Sequence, residues 1–494
     1  MDERVTWGDF LFSVLKRVVM DFSNRQNRMV RLDEVSDEYL QHIASLTKND
    51  PYYPSYHIAP KHGLVNDPNG LSFFNGEHHI FYQWFPLGPV HGLKHWYHVS
   101  TKDFVHFKDR GVALYPDQDY DQHGCHTGIA VVENDQLNLL YTAHYVPEPD
   151  TGHPTQILAV MDKEGNVEKK GIVVDFNPEH YTHNMRDPVT IKRDDSYYML
   201  IGAESHQNEG KLAIYGGQSI DSYNYMGNVD IGLEQFGFMW ECPNYYEEDD
   251  SGVFIFSPQG VSSDNKYDLK NVFSVVYIVG KPIDTQSLKF ENQGYFELDK
   301  GFDFYAPQTY LDEQGRRILI GWLGNSKSEY PTDKNYWAHM LTMPREVEIR
   351  GNKLIQKPLI EMEALRLSAH SLAAKTELAS RAFELDVLVE ENFVIEFANQ
   401  NGEKMVFSGT DCEWQLDRTA VTDVHAEQFG TVRYAKRVGA HNRVRIFVDN
   451  SSIEVFCDDG ETVFTSRLFV ADLEQLNLSG VTGTIHYLDS IQYN

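Results

Sequence analysis

Asn66-Asp67-Pro68-Asn69-Gly70, a short strand, a polar turn and then the run His79-Ile80-Phe81-Tyr82-Gln83 set the pattern from which the fold is read. The plan is a polar or acidic residue near Pro or Gly, then two strands joined by a turn. It returns four times. Gly124-Cys125-His126-Thr127-Gly128 leads to Leu139-Leu140-Tyr141-Thr142, and Arg186-Asp187-Pro188 leads to Tyr197-Tyr198-Met199-Leu200-Ile201-Gly202. Trp240-Glu241-Cys242-Pro243 leads to Val253-Phe254-Ile255-Phe256, and Tyr305-Ala306-Pro307-Gln308 leads to Ile318-Leu319-Ile320-Gly321-Trp322. With residues 67, 126, 187, 241 and 306 as markers, the spacings are 59, 61, 54 and 65. A four-stranded propeller blade with generous loops takes about 45–60 residues. The repeat therefore predicts an all-β fold built on a five-bladed β-propeller over residues 52–346. A β-sandwich also shows short strands at regular spacing, but it does not return a polar residue to the same point of each unit.

The flanks read differently. Residues 1–51 form a short helical N-terminal extension. Trp7, Leu11, Val14, Leu15, Val18 and Phe22 recur at helical spacing, as do Leu32, Val35, Tyr39, Ile43 and Leu46 before Asp50-Pro51. The first helix reads either as a homodimer contact or surface anchor, or as a helix packed on its own domain. Residues 347–370, with Gly351, Pro358 and the run Glu361-Met362-Glu363, read as a linker. In 371–494 apolar residues alternate at Val444, Ile446 and Val448 and again at Ile453, Val455 and Cys457, around the turn Asp449-Asn450-Ser451-Ser452. Asp459-Gly460 is a hairpin signal. This part reads as a C-terminal β-sandwich without catalytic residues.

Composition narrows the function. A chain of 494 residues with 41% apolar and 23% charged residues can bury large cores. Its formal charge of −30 excludes a nucleic-acid partner and an anionic membrane surface. Cys125, Cys242, Cys412 and Cys457 are far apart with no CxxC, so neither a zinc cluster nor a disulfide framework is indicated, and a cytoplasmic protein with reduced thiols is expected. No stretch reads as a secretion signal or a membrane span.

In a propeller the first strand of each blade lines the central channel, so the markers converge on the axis. Three of them are acids: Asp67, Asp187 and Glu241. Any one beside Pro reads as a turn starter. Three in step with a repeat crowd like charges into one pocket, which a fold tolerates mainly for function. Metal binding and glycoside hydrolysis both use converging acids. No His-x-x-x-His or EF-hand spacing supports a metal, so no metal site and no cofactor are expected. Hydrolysis needs one carboxylate as nucleophile or base and a second carboxyl as proton donor. Glu241, the longer arm, suits the donor, and Asp67 the nucleophile. Asp187 would hold sugar hydroxyls and offset the charge of the transition state, with Arg186 keeping it ionised.

At these residues the chain resembles glycoside hydrolase family 32 over about residues 52–494. Asn66-Asp67-Pro68-Asn69-Gly70 is similar to the family's nucleophile motif, Arg186-Asp187-Pro188 to its transition-state stabiliser and Glu241-Cys242-Pro243 to its acid/base motif. Gly321-Trp322-Leu323-Gly324, Pro344-Arg345-Glu346 and the stretch from Asp449 to Phe456 add to the likeness. The resemblance implies a retaining β-fructofuranosidase working through a covalent fructosyl-enzyme. It also implies that Asn66, Gln83, Trp96 and Arg186 line the fructose site, Trp96 as an apolar wall; the plainer reading of Trp96 is a core residue. Leu64, His126-Thr127 and Asn244 depart from the family's usual Trp, Phe-Ser and Asp, and His126 and Thr127 are carried as hydroxyl contacts.

The stretch from Gln83 to Trp96 resembles the bacterial branch of the family that acts, in the cytoplasm, on sucrose 6-phosphate. His91, Lys94 and His95 form a small cationic cluster there that would meet a phosphate on the glucose unit, although Lys94 also reads as a solvated charge. The expected substrate is sucrose 6-phosphate, with sucrose or short fructo-oligosaccharides as the alternative. An inverting arabinan-type hydrolase and a non-catalytic sugar-binding propeller are the remaining readings.

Overall fold

The computed structural model describes residues 20–146, 151–439 and 441–494. Trp7, Leu11, Val14, Leu15 and Val18, expected on a first helix, lie outside the described residues. The second helical pattern is a single helix, α1, Asp37–Lys48. It starts late because the Ser36 hydroxyl accepts from the Tyr39 backbone N–H at 3.3 Å, and Leu32–Glu34 before it is only a 3-10 turn. Tyr39, Ile43 and Thr47 form its buried stripe.

From Gly63 the chain is a succession of strands. They are β1 Gly63–Phe74, β2 Glu77–Phe85, β3 His95–Thr101, β4 His106–Leu114, β5 Cys125–Glu133, β6 Gln136–Tyr145, β7 His153–Met161, β8 Val167–Val174, β9 Tyr181–Arg193, β10 Ser196–Ser205 and β11 Gly210–Ser219. There follow β12 Ser222–Asn228, β13 Met239–Glu248, β14 Ser251–Gln259, β15 Val276–Gly280, β16 Phe296–Glu297, β17 Tyr305–Leu311, β18 Arg317–Leu323, β19 Trp337–Ala338, β20 Met340–Leu341, β21 Arg345–Arg350 and β22 Lys353–Pro358.

The expected five equivalent blades are corrected by the strand pairing. Four sheets are blades: β5–β8, β9–β12 and β13–β16, each folded from one uninterrupted run of chain, and β17-β18-β21-β22 with β20 at its side, whose run is broken only by β19. The sheet of β1–β4 is not a further blade of that kind. It is a six-stranded composite in which β19 lies parallel to β1 and Gln492–Tyr493, at the far end of the sequence, lies parallel to β4. Marker spacing counts inner strands, which every sheet has, and is blind to edge strands lent from elsewhere. The inner strands β1, β5, β9, β13 and β17 neighbour one another in a closed ring, with β1 touching both β5 and β17. Much of the stretch expected as a linker is also sheet, because β21 and β22 complete the last blade.

The C-terminal part is sandwich-like, as expected, and its strands are joined by hydrogen bonding into one ten-stranded sheet. Its organiser is the strand Phe383–Ala398. The first half of that strand pairs with Arg443–Asp449 and the second half with Lys404–Gly409, while its other edge pairs with Gln475–Leu488 through a register break between Val389 and Val394. The break bends the strand, so the sheet folds over its own core of Phe383, Leu385, Phe397, Phe407, Trp414, Ile446 and Phe464. Hydrogen bonding runs unbroken through what alternation alone presents as a sandwich.

Polar side chains clamp this sheet to the rest. The turn at Asp449 reaches back to the segment before β1: Asp449 accepts from the backbone N–H groups of Ser55 and Tyr56 at 2.8 and 3.0 Å, and Asn450 donates to the Tyr53 carbonyl at 2.6 Å. His57, buried, meets Asp449 at 2.8 Å and Glu454 at 3.0 Å through its two ring nitrogens. Arg345 of β21 donates to Glu454, Asp299 and Thr465. Met343 N–H donates to Glu454 at 2.8 Å.

Candidate active site

Each inner strand is interrupted at its marker by a β-bulge. Asn66 and Asp67 together oppose Gln83, and His126 and Thr127 oppose Thr142. Asp187 and Pro188 oppose Ile201, Cys242 and Pro243 oppose Phe256, and Ala306 and Pro307 oppose Gly321. A bulge re-aims a side chain that the pleat would send into a sheet face. Asp187, Cys242 and Ala306 adopt left-handed backbone with φ of 68°, 49° and 45°, a conformation that costs non-glycine residues roughly 1–3 kcal/mol each and gathers at functional sites. Pro near the marker, present in four of the five repeats, is thus a trace of the bulge. Gly202 of β10 lets the next sheet come close, since a Cβ there would stand 1.8 Å from the Trp240 carbonyl oxygen.

The bulges bring Asp67, Asp187 and Glu241 to the wall of one cavity of about 190 Å³. Asn66, Gln83, His91, Lys94, His126, Thr127 and Arg186 line it too. Cavities for drug-sized ligands run to roughly 300–1,000 Å³, so this one suits a single sugar ring with the rest of a substrate reaching outwards.

Asp67 is held at both oxygens. Asn66 Nδ2 donates to Oδ1 at 3.1 Å. Gln83 Nε2 donates to Oδ2 at 3.2 Å, and the Thr127 hydroxyl, itself accepting from Gln83, donates to the same Oδ2. Asn66 also donates to Gln83 Oε1 at 3.0 Å and accepts from Lys94 Nζ at 2.6 Å. Burial pushes the Asp67 carboxyl up, against the hydrogen bonds of Thr127 and Asn66. Thr127 therefore does at Asp67 what a serine hydroxyl would do, whereas the His126 ring lies over His144 with centroids 4.2 Å apart.

Asp187 accepts from the Cys242 backbone N–H at 2.8 Å, and its own N–H donates to Thr142 at 2.8 Å. The Cys242 thiol lies 3.6 Å from Asp67 Oδ2 and 3.5 Å from Asp187 Oδ2, bridging the two carboxylates. Burial pushes Asp187 up to about 7; Arg186 works against that, and Glu241 and Asp67 add to it. The charge of Arg186 thus acts to hold the Asp187 carboxyl down, as expected, but the hydrogen bonds of Arg186 go elsewhere. Its guanidinium donates to Glu241 Oε1 from Nε at 3.1 Å and Nη2 at 2.5 Å, and to Asn184 at 3.0 Å. Glu241 Oε2 accepts from Gln259 and from the Tyr305 hydroxyl, both at 2.5 Å.

Two expected site residues fall elsewhere. Trp96 is fully buried among Phe81, Cys125 and Tyr141, and its indole N–H donates to the His126 carbonyl at 2.8 Å. It supports the bulge from behind rather than walling the cavity. Of the cationic cluster, His91 and Lys94 line the cavity and His95 does not. His95 is buried beneath Tyr115 and Trp84, away from the cavity. Burial drives the His91 imidazole well below its usual range, so it is neutral, and Lys94 is 3% exposed rather than solvated.

Cys242, Gln259, Tyr305, Trp322 and Ser326 complete the lining. Tyr305 and Cys242 flank markers and were legible by position. Gln259 closes β14, and no pattern in the sequence marks it.

A bulged ring of inner strands that presents three carboxyls to a pocket for one sugar ring defines the chain as a glycoside hydrolase. Residues 57–358 match the glycosyl hydrolases family 32 N-terminal domain and residues 347–494 the glycosyl hydrolases family 32 C terminal, and the chain belongs to that family. It is 45% identical over 468 residues to the sucrose-6-phosphate hydrolase of Vibrio alginolyticus, covering 94% of this chain and 96% of that one. It is 35% identical to that of Staphylococcus xylosus, covering 90% and 93%. Among solved structures it superposes on sucrose-6-phosphate hydrolase from Lactobacillus gasseri with a TM-score of 0.90 at 30% identity, covering 95% of this chain and 100% of that one. A Bombyx mori β-fructofuranosidase follows at 0.82 and 27%, covering 96% and 100%.

Proposed function

We infer that this chain hydrolyses the β-fructofuranosyl bond of sucrose 6-phosphate, and of sucrose, with retention at the anomeric carbon. The observation that carries the reading is the single small cavity in which Asp67 stands oriented by Asn66, Gln83 and Thr127 beside a partly exposed Glu241. Asp67 attacks C2 of the fructosyl unit while Glu241 delivers a proton to the departing glucosyl oxygen. A water deprotonated by Glu241 then attacks C2, and the carboxylate of Asp67 leaves. The three carboxyls share one cavity, and a proton on Glu241 is what the first step needs. Asp187 keeps one oxygen on Cys242 N–H and turns its charge on the oxocarbenium-like transition state. In this reading residues 52–346 do the chemistry and 371–494 brace them.

The phosphorylated substrate is supported by the names of the relatives, not by the His91, Lys94 and His95 cluster. The burial of His95 away from the cavity and the neutral His91 favour a second reading, a hydrolase of sucrose and short fructo-oligosaccharides without phosphate preference. A cytoplasmic setting fits the four cysteines, all free, and a substrate phosphorylated during uptake. Among the described residues no helix is long and apolar enough to cross a membrane.

Two measurements test the function. The anomer of fructose released first, followed by NMR, is expected to be β; inversion would overturn the mechanism. The kcat/KM ratio of sucrose 6-phosphate over sucrose is expected to exceed about ten, or about 1.4 kcal/mol of transition-state binding. A ratio near one selects the second reading.

A further inference from the structure

Lys94 is the feature of the cavity that the hydrolytic scheme leaves unused. Its ammonium is buried, and among the described residues its one side-chain hydrogen bond goes to Asn66 Oδ1 at 2.6 Å. The same amide donates through Nδ2 to Asp67 Oδ1 and to Gln83 Oε1. An ammonium has only donors to offer. A donor placed at one end of the Asn66 amide fixes the oxygen there and the NH₂ group towards Asp67. Without it only the two acceptors at Nδ2 hold that orientation, and the amide oxygen loses its donor.

The charge matters as well as the hydrogen bond. The two cations of the cavity are divided, Arg186 on Glu241 and Lys94 on the side of Asp67. The other titratable groups facing Lys94 are His91 on its own loop, His126 on β5 and His339 after β19, and burial drives all three imidazoles down into the neutral form. No second cation on that side duplicates Lys94 among the described lining residues.

We propose that Lys94 is a positioning residue for the nucleophile, holding Asn66 against Asp67 and supplying the charge that makes the Asp67 carboxylate a good leaving group in the second half of the reaction. In that half the water oxygen forms a bond to C2 and its proton passes to Glu241. The C2–Oδ bond breaks, and its electron pair returns to Asp67 as carboxylate charge next to the ammonium. In the fructosyl-enzyme Asp67 is an ester without charge, so the buried Lys94 has lost its nearest anion. Release of fructose restores it. Burial lowers the Lys94 pKa to about 7, with Asp67 opposing the fall, so the pairing is sensitive near neutrality.

The proposal rests on Asp67 as nucleophile, and its test separates the two. Lys94→Met, Lys94→Gln and Lys94→Arg are assayed with sucrose and with sucrose 6-phosphate, alongside Asp67→Asn. Lys94→Met is expected to lower kcat by roughly tenfold or more and KM with it, for both sugars alike, because the covalent intermediate accumulates. Acid-quenched mass spectrometry should show the chain carrying one fructosyl group. Loss of the cation raises the Asp67 pKa, so the acid limb of kcat/KM should move to higher pH in Lys94→Met and Lys94→Gln and stay in place in Lys94→Arg. Lys94→Gln also covers a failure of Lys94→Met to fold, since it keeps a polar donor at the site. A rise in KM confined to sucrose 6-phosphate would make Lys94 a phosphate contact and overturn the proposal, as would an unmoved acid limb in the folded neutral variants. Full activity in Asp67→Asn would instead overturn the assignment of the nucleophile.

Discussion

Glu241→Gln is expected to lower kcat by roughly 10²–10⁴-fold, the usual weight of a positioned proton donor, while sugar binding stays within a few-fold of the parent. The substitution keeps the shape of the side chain. Its oxygen can still accept from Arg186, and the new NH₂ can donate to Tyr305 or to a flipped Gln259, which now meet Oε2. Fold and affinity should therefore survive, and calorimetric titration with sucrose checks the affinity. What is lost is the exchangeable proton. A glucosyl oxygen is a poor leaving group without it, whereas β-fructosyl fluoride needs no protonation to depart. The variant should accordingly form the fructosyl-enzyme from the fluoride at a rate much nearer the parent's, then stall, because the second step has no base. Undiminished turnover of sucrose in Glu241→Gln would remove Glu241 from the mechanism.

The acids of this site were legible because of the physics that places them. A residue that must leave the pleat and face an axis needs a bulge, and Asp-Pro or Cys-Pro on an otherwise apolar strand is the local cost of making one. Asp67, Asp187 and Glu241 could therefore be found from a repeat of Pro-flanked polar residues. The partners of Arg186 could not. Adjacency in sequence tied its charge to Asp187, but its hydrogen bonds reach Glu241, 55 positions away. Trp96 and His95 show the same limit. The family resemblance placed Trp96 at the cavity and a run of cationic residues placed His95 there, but depth in the sheet decides what a side chain reaches, and both are buried. The composite first sheet was hidden for a related reason. Gln492–Tyr493 pairs with His106–Phe107 across most of the chain, and a two-residue edge strand carries no periodicity.

The second large effect lies far from the cavity. Arg345→Met should destabilise the protein by about 3–5 kcal/mol, because it leaves the buried carboxylates of Glu454 and Asp299 short of their cation. In a thermal melt that is a drop of roughly 3–5 °C for a chain of this length. Arg345 stands on β21 in the last blade, Glu454 on the strand Ser452–Cys457 of the C-terminal sheet, and His57 before β1. The cluster therefore joins the ring's closing segments to the sheet behind them, and its loss should part the two rather than loosen either alone. It also gives the protein a pH dependence of definite sign. Burial works against a charged His57, but the hydrogen bonds to Asp449 and Glu454 outweigh it and lift its pKa to about 9, above the usual 6.5. A raised pKa contributes stability that is complete below pH 6.5 and is lost as the pH climbs through about 9. The melting temperature should thus fall across that window in the parent. In His57→Gln it should be lower at pH 6 and flatter between 6.5 and 9, since the titrating group is gone. Glu454 and Asp449 are held below the usual carboxylate range, by Arg345 and His57 for the first and by His57 for the second, against burial. Their contribution is therefore lost on the acid side instead. An Arg345→Met protein as stable as the parent, or a melting temperature in His57→Gln that follows the parent's slope, would show that the two parts are held by apolar contact alone.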